Sequence, residues 1–161
     1  MSRVVVTRAI PAATSEIWEV FTDLAGRGSW LSEVESVEIL TPGPFRPGMR
    51  WRETRTDTDG ESITEELVVT AADPPRSCTM ALVGQAANNR LTYVFSPIEV
   101  GPHRGETSVS AIVEGPPVHG LTNQLLGFLL GGLAARTVEG ALRDDLDALA
   151  GAWRSRACEA A

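Results

Sequence analysis

Five runs of turn chemistry, TPGPFRPG, TDTDG, ADPPR, GQAANN and EVGPHRG, cut the chain between Val34 and Val113 into short segments that read as strands. Connections this short join antiparallel neighbours, because a parallel crossover needs a dozen or more residues. The region is therefore a meander of six strands. An opening strand, in which Val4, Val6, Arg8 and Ile10 alternate with Val5, Thr7 and Ala9 before Pro11 ends it, makes seven.

The period turns helical on either side of the meander. Ile17, Val20, Phe21 and Leu24 share a helical face, with Thr14 or Ser15 placed to cap the first turn and Glu16 near its positive end. A second short helix is expected around Gly28 to Leu31. After Gly115-Pro116-Pro117 a single stripe runs through Leu121, Leu125, Phe128, Gly132, Ala135, Glu139, Leu142, Leu146, Leu149 and Trp153, a helix of about nine turns. Its second half is amphipathic, with Arg143, Asp144, Asp145 and Asp147 off the stripe. Its first half is apolar nearly all round and must be covered on more than one side.

The hairpin GMRWRETRTDTDGESITEELVV shows which face of the sheet is inside. With Thr58-Asp59-Gly60 as a three-residue loop, Arg55 pairs with Ile63, Glu53 with Glu65, Trp51 with Leu67 and Met49 with Val69. Every apolar residue of the hairpin then shares one face; a two-residue loop would split Trp51 from Leu67. The same register turns Glu53, Glu65 and Arg55 inward. Two facing carboxylates in a dry core would cost several kcal/mol and push one of them to keep its proton. The pattern suits a cavity between sheet and helix instead, floored by a few polar groups, with Arg55 or water compensating the carboxylates. A solvent-facing ladder of cross-strand ion pairs, with Trp51 covered by a loop, is the alternative.

The 161 residues are enough for one sizeable core, and 43% apolar with 22% charged residues is ordinary for a folded domain. Residues 1–155 are expected to form one domain and 156–161 a disordered tail. A net charge of −7 disfavours nucleic acid and acidic lipid surfaces as partners. MSRVVVTRAI lacks the layout of a signal peptide, and the apolar run LLGFLLGGLAA is too short to span a bilayer. Two cysteines, Cys78 and Cys158, make neither a disulfide framework nor a metal spacing, so a reduced cytoplasmic setting is the simple reading.

Catalytic motifs are scarce. His103 and His119 have no partner at metal-ligand spacing, Cys78 lacks a local group to lower its pKa, and neither a Gly-x-Ser-x-Gly elbow nor a nucleotide-binding glycine loop is present. No metal or nucleotide cofactor is indicated. Tyr93 is the sole tyrosine and shares a face with Leu91 and Phe95; inside a cavity its phenol would donate to a carbonyl or enolate oxygen, while in a packed core it would be an ordinary tyrosine. Trp30, in GSWL, is placed to touch ligand at a cavity mouth. Gly127, Gly131 and Gly132 would let the long helix approach the sheet or leave room for a ligand; read as a helix-pairing motif, they would serve a homodimer.

The order strand, two helices, six strands and long helix, the opening RAIPAATSEIWEVFTDLAGRGSWL and the hairpin GPFRPGMRWRETRTDTDGESITEELVV together resemble the polyketide cyclase/dehydrase-like members of the START/Bet v 1 (SRPBCC) superfamily. That resemblance implies an α+β helix-grip fold, a curved antiparallel sheet wrapped around the C-terminal helix over a deep hydrophobic cavity. It also implies a ligand there: a lipid, a polyketide, a hormone or an aromatic metabolite. Aromatase/cyclase members steer ring closure and dehydration with an arginine and a tyrosine, for which Arg55 and Tyr93 are the counterparts. The candidate catalytic set is Glu53, Arg55 and Tyr93, with Trp30, Trp51, Glu65, Leu67, Phe95, Leu125, Phe128 and Leu129 lining the ligand. A non-enzymatic carrier, sensor or oligomeric interaction protein is the competing reading.

Overall fold

The computed structural model describes residues 2–56, 60–84, 89–115 and 138–161. Seven antiparallel strands form one sheet: β1 (Ser2–Ile10), β2 (Val34–Ile39), β3 (Arg50–Thr56), β4 (Ser62–Asp73), β5 (Ser77–Leu82), β6 (Arg90–Pro97) and β7 (Thr107–Gly115). Their spatial order is β1-β7-β6-β5-β4-β3-β2, so β2 to β7 meander and β1 closes beside β7. This is the sheet that the short connections demanded.

Helix α1 (Thr14–Thr22) and a 3₁₀ helix (Leu24–Ser29) follow β1. The N-cap of α1 is Ala13 rather than Thr14 or Ser15. Alanine has no side-chain acceptor, and Glu16 Oε2 instead reaches back to accept from the Ala13 N–H at 3.1 Å. The second short helix begins four residues before Gly28, because Asp23 caps it: its Oδ1 accepts from Gly26 N at 3.3 Å. A Cβ on Gly26 would lie 2.5 Å from Asp23 Oδ2, so the turn that presents Arg27 needs glycine there.

The last helix, α2 (Val138–Glu159), packs across β1, α1 and β7. Ala141, Leu142, Leu146, Leu149 and Ala150 are its buried face. The earlier part of the expected long helix, with Leu125, Phe128, Leu129 and the glycines 127, 131 and 132, lies outside the described residues, as do His119 and the loop residues 57–59. Residues 156–159, expected in a disordered tail, are the last turn of α2. Arg156 Nη2 donates to Asp23 Oδ2 at 2.6 Å, an ion pair the sequence alone does not show, and it ties that turn to the 3₁₀ helix.

The hairpin register follows the expectation: Arg55 faces Ile63, Glu53 faces Glu65 and Trp51 faces Leu67, while Val69 N donates to Met49 O at 2.9 Å. Strand β3 alternates buried and outward residues along its length. Under α1 an aromatic cluster fills the core, with Phe21 at 4.5 Å from Tyr93 and 5.3 Å from Phe95, and Trp18 at 5.6 Å from Phe95 between ring centroids.

Leu146 is 1% exposed at the centre of the α2 face. Leu146→Ala is expected to cost about 2–5 kcal/mol in urea-unfolding free energy, whereas Arg143→Ala, on the exposed side, should stay within about 0.5 kcal/mol. Equal effects would mean that α2 does not pack as described.

Candidate functional site

A strand's period of two places Trp51, Glu53 and Arg55 on one face, and here that face is interior. Glu53 is fully buried, and its two oxygens accept three donors. Arg55 Nε donates to Oε1 at 2.8 Å; Arg27 Nε at 3.0 Å and Trp51 Nε1 at 3.1 Å both donate to Oε2. Arg27 and Arg55 are themselves only 4% and 3% exposed. The alternative of a solvated charge ladder therefore does not hold for Glu53 and Arg55. Burial opposes the charge on Glu53, but the two guanidiniums and the hydrogen bonds from Trp51 and Arg55 outweigh it and hold the pKa near 2. Glu53 is thus ionised, compensated by Arg55 and Arg27, and acts as a positioning residue for two cations. Glu65, its cross-strand neighbour, is half-buried.

The structure brings three further groups to this cluster. Tyr93, buried on β6 between Cys78 and Ala111, has its phenol pushed well above its ordinary pKa by burial and by the nearby Asp145 charge. Burial likewise pushes the Cys78 thiol to about 12, so it stays protonated and is no nucleophile. Asp145, on α2, is half-buried, between the buried Leu142 and Leu149 of the same helix. Its pKa is raised to about 6 by burial, with Arg55 and Arg27 opposing.

Arg27 and Asp145 were not among the expected site residues. Arg27 comes from a different element, and nothing local in GRGSW marks it as a partner for Glu53. Asp145 carried a readable signal: Ala141, Leu142, Leu146 and Leu149, its neighbours at i−4, i−3, i+1 and i+4, are all buried, so it lies within the seam and not beside it.

The expected lining residues separate. Trp51 and Leu67 are buried beside the charge cluster. Phe95 is taken up by Trp18 and Phe21 and is packed core. Trp30 covers Arg27, whose guanidinium carbon is 5.9 Å from the ring centroid, and its other side borders a cleft of about 520 Å³ formed with Ala148, Gly151, Ala152 and Ser155 of α2. A larger groove of about 840 Å³ lies on the opposite face of the sheet, remote from Glu53, and its arginines Arg50 and Arg90 already pair with Glu66 and Glu114. His103 pairs with Glu106 at 2.8 Å in an exposed turn. Among the described residues no cluster of His, Cys, Asp and Glu could hold a metal ion, and no helix is long and apolar enough to cross a membrane.

Removing one partner from a buried ion cluster strands the others, so Glu53→Gln is expected to cost about 3–5 kcal/mol at neutral pH. The wild-type contribution of Glu53 is fully present above its ordinary value of 4.5 and is lost as pH falls toward about 2. Unfolding curves measured over that range should converge for the two proteins; a constant difference would deny the pairing. Asp145 has the opposite sign: ionising it inside the fold opposes folding progressively above its ordinary 3.8. Asp145→Asn should therefore raise the melting temperature at pH 7.5 and leave it unchanged below about pH 4.

The pattern of the polyketide cyclase/dehydrase and lipid transport family matches residues 1–153. Among solved structures, TTHA0849 from Thermus thermophilus superposes with a TM-score of 0.68 at 21% identity over 96% of this chain and 99% of that one. The di-domain ARO/CYC BexL from the BE-7585A biosynthetic pathway gives 0.60 at 19% identity, over 96% of this chain and 49% of that one. Ara h 8.0201 gives 0.58 at 11% identity, over 98% of each chain. These likenesses bear on the fold, which is the helix-grip arrangement. No curated protein matches the sequence.

Proposed function

The chain belongs to the polyketide cyclase/dehydrase and lipid transport family, and from that premise we propose that it binds an apolar small molecule between the inner face of its sheet and the C-terminal helix. The observation that carries this reading is a set of polar groups that no described residue hydrogen-bonds, set among apolar side chains. Among the described residues none hydrogen-bonds the Tyr93 hydroxyl, the two Nη groups of Arg27 or the Asp145 carboxyl. Around them stand Trp51, Leu67, Met80, Leu91, Leu142 and Leu146, all buried. Apolar walls with a few convergent polar groups are the chemistry of a small-molecule site.

A second reading, that the bound molecule is also transformed, is favoured by Asp145. A carboxyl that titrates near neutrality can take a proton from carbon beside a carbonyl, while a guanidinium holds the enolate oxygen and a phenol donates to a neighbouring oxygen. Such a set suits ring closure or dehydration of a polyketone. A carrier or sensor needs the first reading alone.

Titration with the neutral fluorophore N-phenyl-1-naphthylamine tests binding. A saturable emission increase and a rise in melting temperature are expected, together with a co-purifying small molecule in native mass spectra of protein from its own host. An unliganded mass combined with no response to the fluorophore would overturn the reading. For the second reading, Asp145→Asn should lower kcat on a polyketone substrate by about 10²–10⁴ while fluorophore affinity stays unchanged.

A further inference from the structure

Charge matching around Glu53 indicates what kind of molecule the site takes. Two buried guanidiniums pair with one carboxylate that is ionised at neutral pH. Arg27 gives only its Nε to Glu53; both Nη groups, on a side chain about nineteen-twentieths buried, are unpartnered among the described residues. Trp30 lies over this guanidinium, its ring centroid 5.9 Å from the guanidinium carbon. A planar pair of N–H donors in a low-dielectric setting is a receptor for a carboxylate or an equally charged oxygen.

Asp145 enters the same balance. The groups coupled to it electrostatically are Arg55 and Glu53 from β3, Arg27 from the 3₁₀ helix, Glu33 from the segment that follows, and Tyr93 from β6. On its own helix Asp144 adjoins it, Arg143 pairs with Glu139, and Asp147 pairs with Arg8 of β1. With Asp145 ionised, the two arginines are set against three carboxylates, Glu53, Asp145 and Glu33, and the cluster is already net negative. An incoming anion would then add a second uncompensated negative charge, an expensive arrangement. With Asp145 protonated, the same anion meets one negative charge fewer.

We propose that the ligand of this site carries an acidic group, which docks on the Nη groups of Arg27 and is accompanied by uptake of one proton at Asp145. The inference rests on the binding reading above and names the ligand class that reading leaves open: an apolar body with a carboxylate, or an enolate of similar charge, at one end. The proton comes from solvent and stays on the Asp145 carboxyl, and no covalent bond to the ligand forms or breaks. Glu53 positions Arg27 for this contact and does not touch the ligand's acid.

Two matched pairs of probes test it: 1-naphthylacetic acid against 1-naphthylacetamide, and decanoic acid against decanamide, by calorimetric titration of the full chain. The acid of at least one pair should bind about tenfold or more tightly than its amide at pH 6. Its affinity should then fall by up to about tenfold per pH unit between about pH 6 and 8, where the ligand acid itself remains ionised. Titrations in phosphate and in Tris at pH 7.5 should differ by the heat of one proton taken up. In Asp145→Asn the affinity should become flat with pH and the buffer difference should vanish, with the preference for acid retained; in Arg27→Gln that preference should be lost. Binding of N-phenyl-1-naphthylamine without preference for either acid would overturn the inference and leave the binding reading intact. An acid preference independent of pH and buffer in the wild type would overturn the proton uptake. Failure of all five compounds to bind would overturn the binding reading and this inference with it.

Discussion

A fully buried carboxylate on the central face of the sheet sets the terms for the rest of this structure. Glu53 cannot be dry and ionised without donors, and the three it has come from three directions: Trp51 and Arg55 along its own strand, Arg27 across from the 3₁₀ helix. The local contacts follow from strand period alone. The third fixes tertiary structure, because Arg27 reaches Glu53 only if the 3₁₀ helix lies against the sheet at β2. Gly26 and the Asp23 cap give that turn its shape, and Arg156 of α2 closes on the same Asp23. One buried charge therefore connects sheet, turn and terminal helix.

The sequence made the sheet and its hairpin register readable because both depend on local signals: turn residues at short spacing, and a period of two that fails if the loop is one residue shorter. Trp51, Glu53 and Arg55 followed from the same alternation. What escaped was long-range or contextual. Arg27 lies in a glycine-rich turn whose partner is twenty-six residues away. Asp145 was set aside as one of several acids on a charged face, although three residues after Leu142 and four before Leu149 puts it next to the buried positions of this helix. Phe95 shares a face with Tyr93, and strand alternation cannot tell a residue covered by a helix from one that lines an open space. The α1 aromatics make that distinction.

Asp145 is poorly placed as a structural residue. The gap between its ordinary 3.8 and about 6 corresponds to at most about 3 kcal/mol opposing the fold at neutral pH, less whatever water recovers at its accessible surface. An asparagine or leucine would relieve it. A destabilising group facing two arginines and a phenol is the arrangement expected where chemistry or binding, and not packing, determines the residue.

The same accounting separates the roles of the two carboxylates. Glu53, saturated by donors, changes neither charge nor position near neutrality and serves to keep two cations in the interior. Asp145, unsaturated and poised to titrate, is the group whose state can change when another charge arrives. Pairs of acids driven apart in pKa by their surroundings divide the labour of a site between holding and responding. Here the holding partner lies on the sheet and the responding one on the helix packed against β1, β7 and α1.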